Sequence, residues 1–351
     1  MGSGAFIMSE YIGVPYSTIA VCAIIPAVLY YVTVFLQVYF EARRTNLAGI
    51  PAKEIRSARQ VIREGGHLSI PLIMILVLML SGYSPMKAGV YGVLSVVLVT
   101  AIKKNTRMDL KKIVRAMVNA GRSIVPVSSA CACAGIIIGI VRFTGIGLKF
   151  SSAVLSISNG NLMVGLTLCM CASLILGMGL PTAAAYVIQA ALTAPALVTL
   201  GLQPIQAHLF IFYFSCIAVI TPPVALAAYA AAPIAGGNAI KVGVKAFRLG
   251  LASFIVPYMF GFGPGLLLLG SIGDIALTLA SALIGIVLFS AALSGWAGGR
   301  INTPCRVLFF LSAVLLMMQG GITDLLGAGI AAAGILIHMR HVSGLRLQQA
   351  E

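Results

Sequence analysis

Acidic side chains are nearly missing from this sequence. Eight Asp and Glu residues stand against 23 Lys and Arg in 351 positions, and charged residues of both signs make up only 9% of the chain. Between Phe150 and Ile240 there is no Asp, Glu, Lys or Arg, and His208 is the one histidine in that stretch. A soluble domain carries about a quarter charged residues. So little charge, beside a 60% hydrophobic content, excludes an ordinary soluble fold. At about 20 apolar residues per helical crossing, the uncharged stretch holds several spans. The sequence predicts an all-α polytopic membrane protein.

Catalytic constellations are also lacking. No nucleophile–base pair, metal cluster or phosphate loop is present, so neither enzymatic function nor a cofactor is expected. The seven cysteines are odd in number and lie mostly in apolar runs. Cys131-Ala-Cys133 and Cys169-Met-Cys171 lack CxxC spacing and have no nearby His or carboxylate to complete a metal shell. They read as small residues facing lipid or a neighbouring helix. The net charge of +15 does not point to nucleic acid, because the basic residues sit in short loops without interleaved aromatics. That distribution is the one that keeps Lys- and Arg-rich loops in the cytoplasm. The N-terminus lacks the positive n-region of a signal peptide and opens in mid-pattern, as though cut from a longer chain.

Along the chain, residues 1–14 are apolar and Gly-rich, with Glu10 as their only charge. A span is expected from Tyr16 to Phe40, with Pro26 as a kink, followed by a cytoplasmic loop over 41–68 carrying Arg43, Arg44, Lys53, Arg56, Arg59 and Arg63. Two short limbs, 69–82 and 89–102, come next. Over 103–122, Leu110, Ile113, Val114, Met117 and Val118 share one helical face and Lys111, Lys112 and Arg115 another. This predicts an amphipathic helix in the interface plane, a solvated cytoplasmic helix being the alternative. A span over 123–141 returns outward.

Leu162–Leu176 and Ala183–Val198 are 15 and 16 apolar residues long. Each is short for about 30 Å of hydrocarbon at 1.5 Å per residue. The Gly- and Pro-containing break between them suggests a re-entrant hairpin with 177–182 at its tip; two tilted spans joined by a tight loop are the alternative. Downstream, Leu209–Ile220 stops at Thr221-Pro222-Pro223. Thr as N-cap and Pro in the first turn predict a second half-helix from there to Ala235, against the plainer reading of a proline kink. Lys241, Lys245 and Arg248 mark another cytoplasmic amphipathic segment. Further spans are expected at 250–270, 275–293, 305–319 and 325–338. With this topology 20 of the 23 basic residues are inside, leaving out Lys87, Arg142 and Lys149.

A shift of 223 residues places Ala5-Phe6 on Ala228-Tyr229, Gly13 on Gly236 and Ala23 on Ala246. The charge rule puts the two copies in opposite orientation, the inverted-repeat plan of many transporters. Residues 1–14 would then be the tail of a first broken helix.

Lipid offers no partner to free backbone groups, so breaks inside apolar sequence survive only in protein or beside a polar cavity. Sodium is a hard ion, and carbonyls and hydroxyls alone suit it by analogy with other hard cations. The candidate sodium site is therefore Gly177, Gly179, Thr182, Ile220, Thr221, Pro222 and Pro223. The N-terminus of the downstream half-helix suits an anionic group. Pro181, Thr182, Tyr186 and Ser215 are the substrate-side candidates, with ordinary helix packing the equal alternative for Tyr186 and Ser215. His208 reads as an interfacial residue rather than a proton carrier.

Gly145-Ile-Gly-Leu-Lys-Phe-Ser-Ser152, Asn159-Gly-Asn-Leu162, Leu176-Gly-Met-Gly-Leu-Pro-Thr-Ala-Ala-Ala-Tyr186, His208-Leu-Phe-Ile-Phe-Tyr-Phe214 and Ile220-Thr-Pro-Pro-Val-Ala-Leu-Ala-Ala-Tyr229 resemble the large membrane subunit of TRAP transporters. They look most like the fused permeases that work with TAXI-type binding proteins, and the likeness covers nearly the whole chain. It implies a sodium-driven elevator-type symporter of organic acids in the cytoplasmic (inner) membrane of a bacterium or archaeon. The implied partners are a periplasmic substrate-binding protein, a small membrane subunit or missing N-terminal permease portion, and the lipid bilayer, with no nucleic acid. Gly177–Thr182 matches the second hairpin tip of that family and Ile220–Pro223 its second helix break, whereas the first hairpin and first Pro-Pro break would precede residue 1.

The resulting division is 1–14 as the tail of a first broken helix and 15–122 as scaffold spans with a cytoplasmic loop and an interfacial helix. Residues 123–236 form a transport-type region with a hairpin (162–200) and a broken helix (205–236). Residues 237–270 are an interfacial segment and scaffold span, and 271–351 are additional C-terminal spans. The expected function is the permease component of a sodium-coupled, binding-protein-dependent importer, inactive without its missing portion. The alternatives are a transport-inactive remnant or regulatory membrane protein and, third, an ATP-driven importer permease, since Ala246-Phe-Arg-Leu-Gly250 faintly resembles a coupling loop.

Overall fold

A computed structural model describes residues 2–47, 49, 51, 57–103 and 106–348. Lys53 and Arg56 of the expected cytoplasmic loop, and Lys104 and Asn105 at the head of the expected amphipathic segment, lie outside the described residues. Helices dominate the rest, and the β-structure among the described residues is an isolated bridge between Trp296 and Arg300. Among the described residues five helices are long and apolar enough to cross a membrane: Ile24–Arg44, Ala58–Leu80, Thr182–Thr199, Ile272–Ser294 and Gly321–Arg340. Two sharply bent pairs, Gly4–Ile12 with Tyr16–Cys22 and Gly135–Val141 with Ile146–Ser158, raise the number to 7 if each counts as one span. The chain is an all-α polytopic membrane protein.

Two compact units divide the chain. One comprises residues 2–20 and 48–133. It holds α1 (Gly2–Ile12) and the start of α2 (Tyr16–Cys22), while α3 (Ile24–Arg44) belongs to the other unit. Then come α4 (Ala58–Gly65), a 3-10 turn (Gly66–Ser69), α5 (Ile70–Leu80), α6 (Pro85–Thr100) and the first part of α7 (Leu110–Thr144). α4 falls in the stretch 41–68, which the sequence predicts as a basic loop. Its start is fixed by Ser57, whose Oγ accepts the Gln60 N–H at 3.3 Å, an N-cap that supplies one of the acceptors a helix start lacks. Lys103 Nζ donates to the carbonyls of Arg63 and Glu64 at 2.6 and 3.1 Å, placing a cation on the negative end of α4. The amphipathic segment is not a separate helix: from Leu110 it runs without a break into the apolar stretch ending at Thr144.

The other unit comprises residues 21–47 and 134–351. After α3 it contains α8 (Ile146–Ser158), α9 (Leu162–Gly177), α10 (Thr182–Thr199), α11 (Pro204–Ala218), α12 (Leu226–Ala231), α13 (Ala239–Gly250), α14 (Ile255–Phe262), α15 (Ile272–Ser294), α16 (Thr303–Met317) and α17 (Gly321–Gln348). The expected span from Tyr16 to Phe40 is broken at Ala23, between α2 and α3. A proline ring clashes with the carbonyl four residues back, which for Pro26 is that of Cys22, the last residue of α2. The expected span 250–270 is also interrupted. It is a 3-10 turn (Leu251–Phe254), the eight residues of α14 and a second 3-10 turn (Pro264–Leu267), because Pro257 and the Gly263-Pro264-Gly265 run deny the helix its continuity.

Tyr186, Phe210, Phe214 and Phe260 are among the largest fully buried side chains. They belong to α10, α11 and α14, and Phe210 and Phe214 meet edge to face at 4.9 Å. Gln206 on α11 donates to the Phe260 carbonyl at 3.0 Å. Gln37 on α3 donates to the Ser290 carbonyl on α15 at 3.0 Å, and Glu41, near the end of α3, pairs with Lys245 on α13. Positions aligned by the 223-residue shift take similar local backbone. Gly13 and Gly236 both take positive φ, 77° and 61°, and the helices after them start at Tyr16 and Ala239, again 223 positions apart (239 − 16).

Candidate functional site

The first interruption lies where the sequence predicts it. α9 ends at Gly177 and α10 begins at Thr182. Between them Gly179 adopts φ 76°, a left-handed conformation that glycine takes without steric penalty, and Leu180 N–H bonds the Gly177 carbonyl at 3.3 Å. The arms have 16 and 18 residues, or about 24 and 27 Å at 1.5 Å per residue. α10 is thus long and apolar enough to cross a membrane, while α9 falls among the shorter apolar helices.

The second interruption starts as expected and resumes later. Thr221 does not cap a downstream helix. Its N–H bonds the Ala218 carbonyl at 3.1 Å and its Oγ1 the Ile217 carbonyl at 3.0 Å, so it closes the end of α11. The Pro222–Pro223 peptide is cis. α12 begins only at Leu226, behind Ala225, which offers no side-chain cap, and it has six residues. With the next helix starting only at Leu226, five residues on, the Thr221 hydroxyl is not at an N-cap position. The anion-binding half-helix expected to start at Thr221 is therefore not formed there.

The two interruptions meet. A Cβ built on Gly177 would lie 2.7 Å from Ala218 Cβ, and one on Gly179 would lie 3.5 Å from Val224. Only a residue without a side chain lets the end of α9 approach α11 this closely. Among the described residues, no hydrogen bond reaches the carbonyls of Met178, Gly179, Leu180, Ile220, Thr221 or Pro222 outside the helices. Two other carbonyls of the predicted set are engaged: Gly177 by Leu180 N–H, and Pro223 by the Tyr229 hydroxyl at 2.5 Å. Thr221 is buried, Thr182, Ile220 and Pro222 are half-buried, and Pro181 and Pro223 are exposed.

Tyr186 and Ser215 lie deeper, both fully buried. The Tyr186 hydroxyl bonds His208 Nδ1 at 2.8 Å. His208 is itself 6% exposed, and so sits inside the helix cluster. Ser215 Oγ donates to Gln189 Oε1 at 2.6 Å. Gln189 escaped sequence reasoning. Its signal was there, since a lone carboxamide in an apolar helix needs partners to be buried at all. Among the described residues no three His, Cys, Asp or Glu side chains cluster in a way that suits a metal ion. Any cation held where the breaks meet would be held by neutral oxygens.

The family model of the tripartite ATP-independent periplasmic transporter, DctM component, matches residues 1–275. No curated protein and no solved structure matches the chain. Both helix breaks fall within the matched region, and α16 and α17 lie beyond it. This is a transporter family rather than an enzyme family, and its ATP independence removes the ATP-driven importer from consideration. Uncharged apolar helices, two touching interruptions and a family match over most of the length agree: the chain belongs to the DctM component family of tripartite ATP-independent periplasmic transporters.

Proposed function

We propose that this chain is the permease component of a sodium-coupled, binding-protein-dependent importer of organic acids in the cytoplasmic membrane, working as an elevator-type symporter. Within its family the membrane component works with a periplasmic binding protein and a small membrane component. The observation that carries the sodium reading is the contact of the two breaks, through Gly177 with Ala218 and Gly179 with Val224. It sets side by side two breaks with carbonyls that lack helical partners, and neutral oxygens of that kind are the ligands a hard cation favours. Gly177, Gly179, Thr182 and Ile220–Pro223 build these breaks, with Met178 and Leu180 adding carbonyls.

Because α12 is short and starts late, the helix N-terminus available to a carboxylate is that of α10, at Pro181 and Thr182. Its first N–H groups have no partner within the helix and carry the positive end of its dipole. Tyr186 and Ser215 support this end from within the cluster. Substrate and ion would then share one boundary, which couples their binding.

Uptake of radiolabelled organic acids into proteoliposomes holding the complete transporter, plus binding protein, tests the proposal. Uptake should require an inward sodium gradient. Thr221→Ala and Gly179→Leu should abolish the sodium-dependent part while both variants still insert. The Leu side chain at φ 76° carries a left-handed penalty of about 1–2 kcal/mol. Equal uptake with and without sodium, or a normal sodium response in both variants, would reject the assignment.

A further inference from the structure

Gln189 has both ends of its carboxamide engaged and no exposed surface. Nε2 donates to the Ser173 carbonyl on α9 at 2.8 Å. By the i to i−4 rule, that carbonyl is the helical partner of Gly177, the last residue of α9. Oε1 accepts from Ser215 on α11 at 2.6 Å, three residues before α11 ends at Ala218. Nε2 would also lie 3.0 Å from a Cβ on Gly177, so the amide plane rests against the backbone from which the turn departs. A single side chain on α10 therefore grips the last turn of α9 and the last turn of α11, the two ends from which both interruptions start.

We infer that Gln189 is a positioning residue: its carboxamide fixes the 178–181 turn against the 219–225 break, the two segments that hold the carbonyls without backbone partners. The inference rests on the sodium reading for its consequence, but not for its geometry. A buried amide costs stability unless both its ends are paired, and here both are. Its partners do not depend on it to stay satisfied. Ser215 Oγ also lies 3.0 Å from the Ile211 carbonyl, and the Ser173 carbonyl keeps its helical bond. Gln189→Leu thus removes the bridge without orphaning either neighbour, and the fold should survive it.

The test compares wild type, Gln189→Leu and Ser215→Ala as full chains in lipid nanodiscs. Hydrogen exchange is read at the amides of Met178, Gly179 and Leu180, and sodium-dependent uptake is measured in parallel in proteoliposomes. Gln189→Leu should elute as a folded species, speed exchange of those amides by about tenfold or more while α15 and α16 exchange as in wild type, and raise the half-saturating sodium concentration by about tenfold. Ser215→Ala, which removes half of the bridge, should give a smaller change of the same sign, and it carries the test alone should Gln189→Leu misfold. Unchanged exchange at 178–180 in a folded variant overturns the positioning role. Accelerated exchange together with wild-type uptake that ignores sodium upholds the bridge and rejects the sodium reading. Accelerated exchange with an unchanged sodium requirement overturns the link between bridge and ion.

Discussion

At the scale of single residues, glycine decides what can touch what. Gly177 is buried, and a methyl group there would overlap Ala218 Cβ at 2.7 Å and crowd Gln189 Nε2 at 3.0 Å. Ala218 is held in its helix and cannot swing away, so Gly177→Ala must push α9 from α11. Overpacking of this kind costs about 1–3 kcal/mol. Thermal unfolding in detergent should show a lowered midpoint for Gly177→Ala, partly restored by adding Ala218→Gly, which removes the opposing methyl. A Gly177→Ala protein as stable as wild type would mean that the close approach is not there. The contact was not legible in the sequence. The Gly-x-Gly-x-Pro pattern announces a turn, but nothing local says that the turn meets Ala218, some forty positions on.

At the scale of elements, the chain shows where sequence reasoning holds and where it stops. The ends of α9, α10 and α15 fall within three residues of expectation, because each is punctuated by residues that act locally: Asn161 caps α9, Pro181 precedes α10, and Ser271 caps α15. The late start of α12 was hidden, since Thr221 can bond forwards as a cap or backwards to Ile217, and only the packed structure selects between them. Pairings between distant elements were equally out of reach.

The link between α3 and α13 is one of these. Glu41 is nearly buried and serves both Arg44 and Lys245, whereas the Lys245 side chain is half exposed at 49%. Solvent screens an exposed partner, so Lys245→Met should change stability by no more than about 0.5 kcal/mol. Glu41→Ala strips the acceptor from two cations and should cost about 1–2 kcal/mol. Chemical or thermal unfolding of the two variants decides the order. A larger loss from Lys245→Met would contradict it.

At the scale of the molecule, the charge pattern carries the topology. If α9 and α10 form a hairpin that enters and leaves from one side, positions before α9 and after α10 face the same compartment, and every later loop keeps its sign under the positive-inside rule. In a background with the seven native cysteines replaced, Ser156→Cys and Thr199→Cys should both react with a membrane-impermeant maleimide added to the periplasmic face. Reaction of the two from opposite faces would show that this pair crosses the membrane. Composition made the membrane class legible from the start. The motifs at 176–186 and 220–229 made the family legible, while the meeting of those two motifs needed the fold.

Equilibrium sodium binding to the purified protein tests the central claim most directly. Wild type should bind sodium saturably, and Gly179→Leu and Thr221→Ala, folded and inserted, should each lose that binding because each disturbs one of the two touching breaks. Saturable binding retained at wild-type affinity in both variants would contradict it.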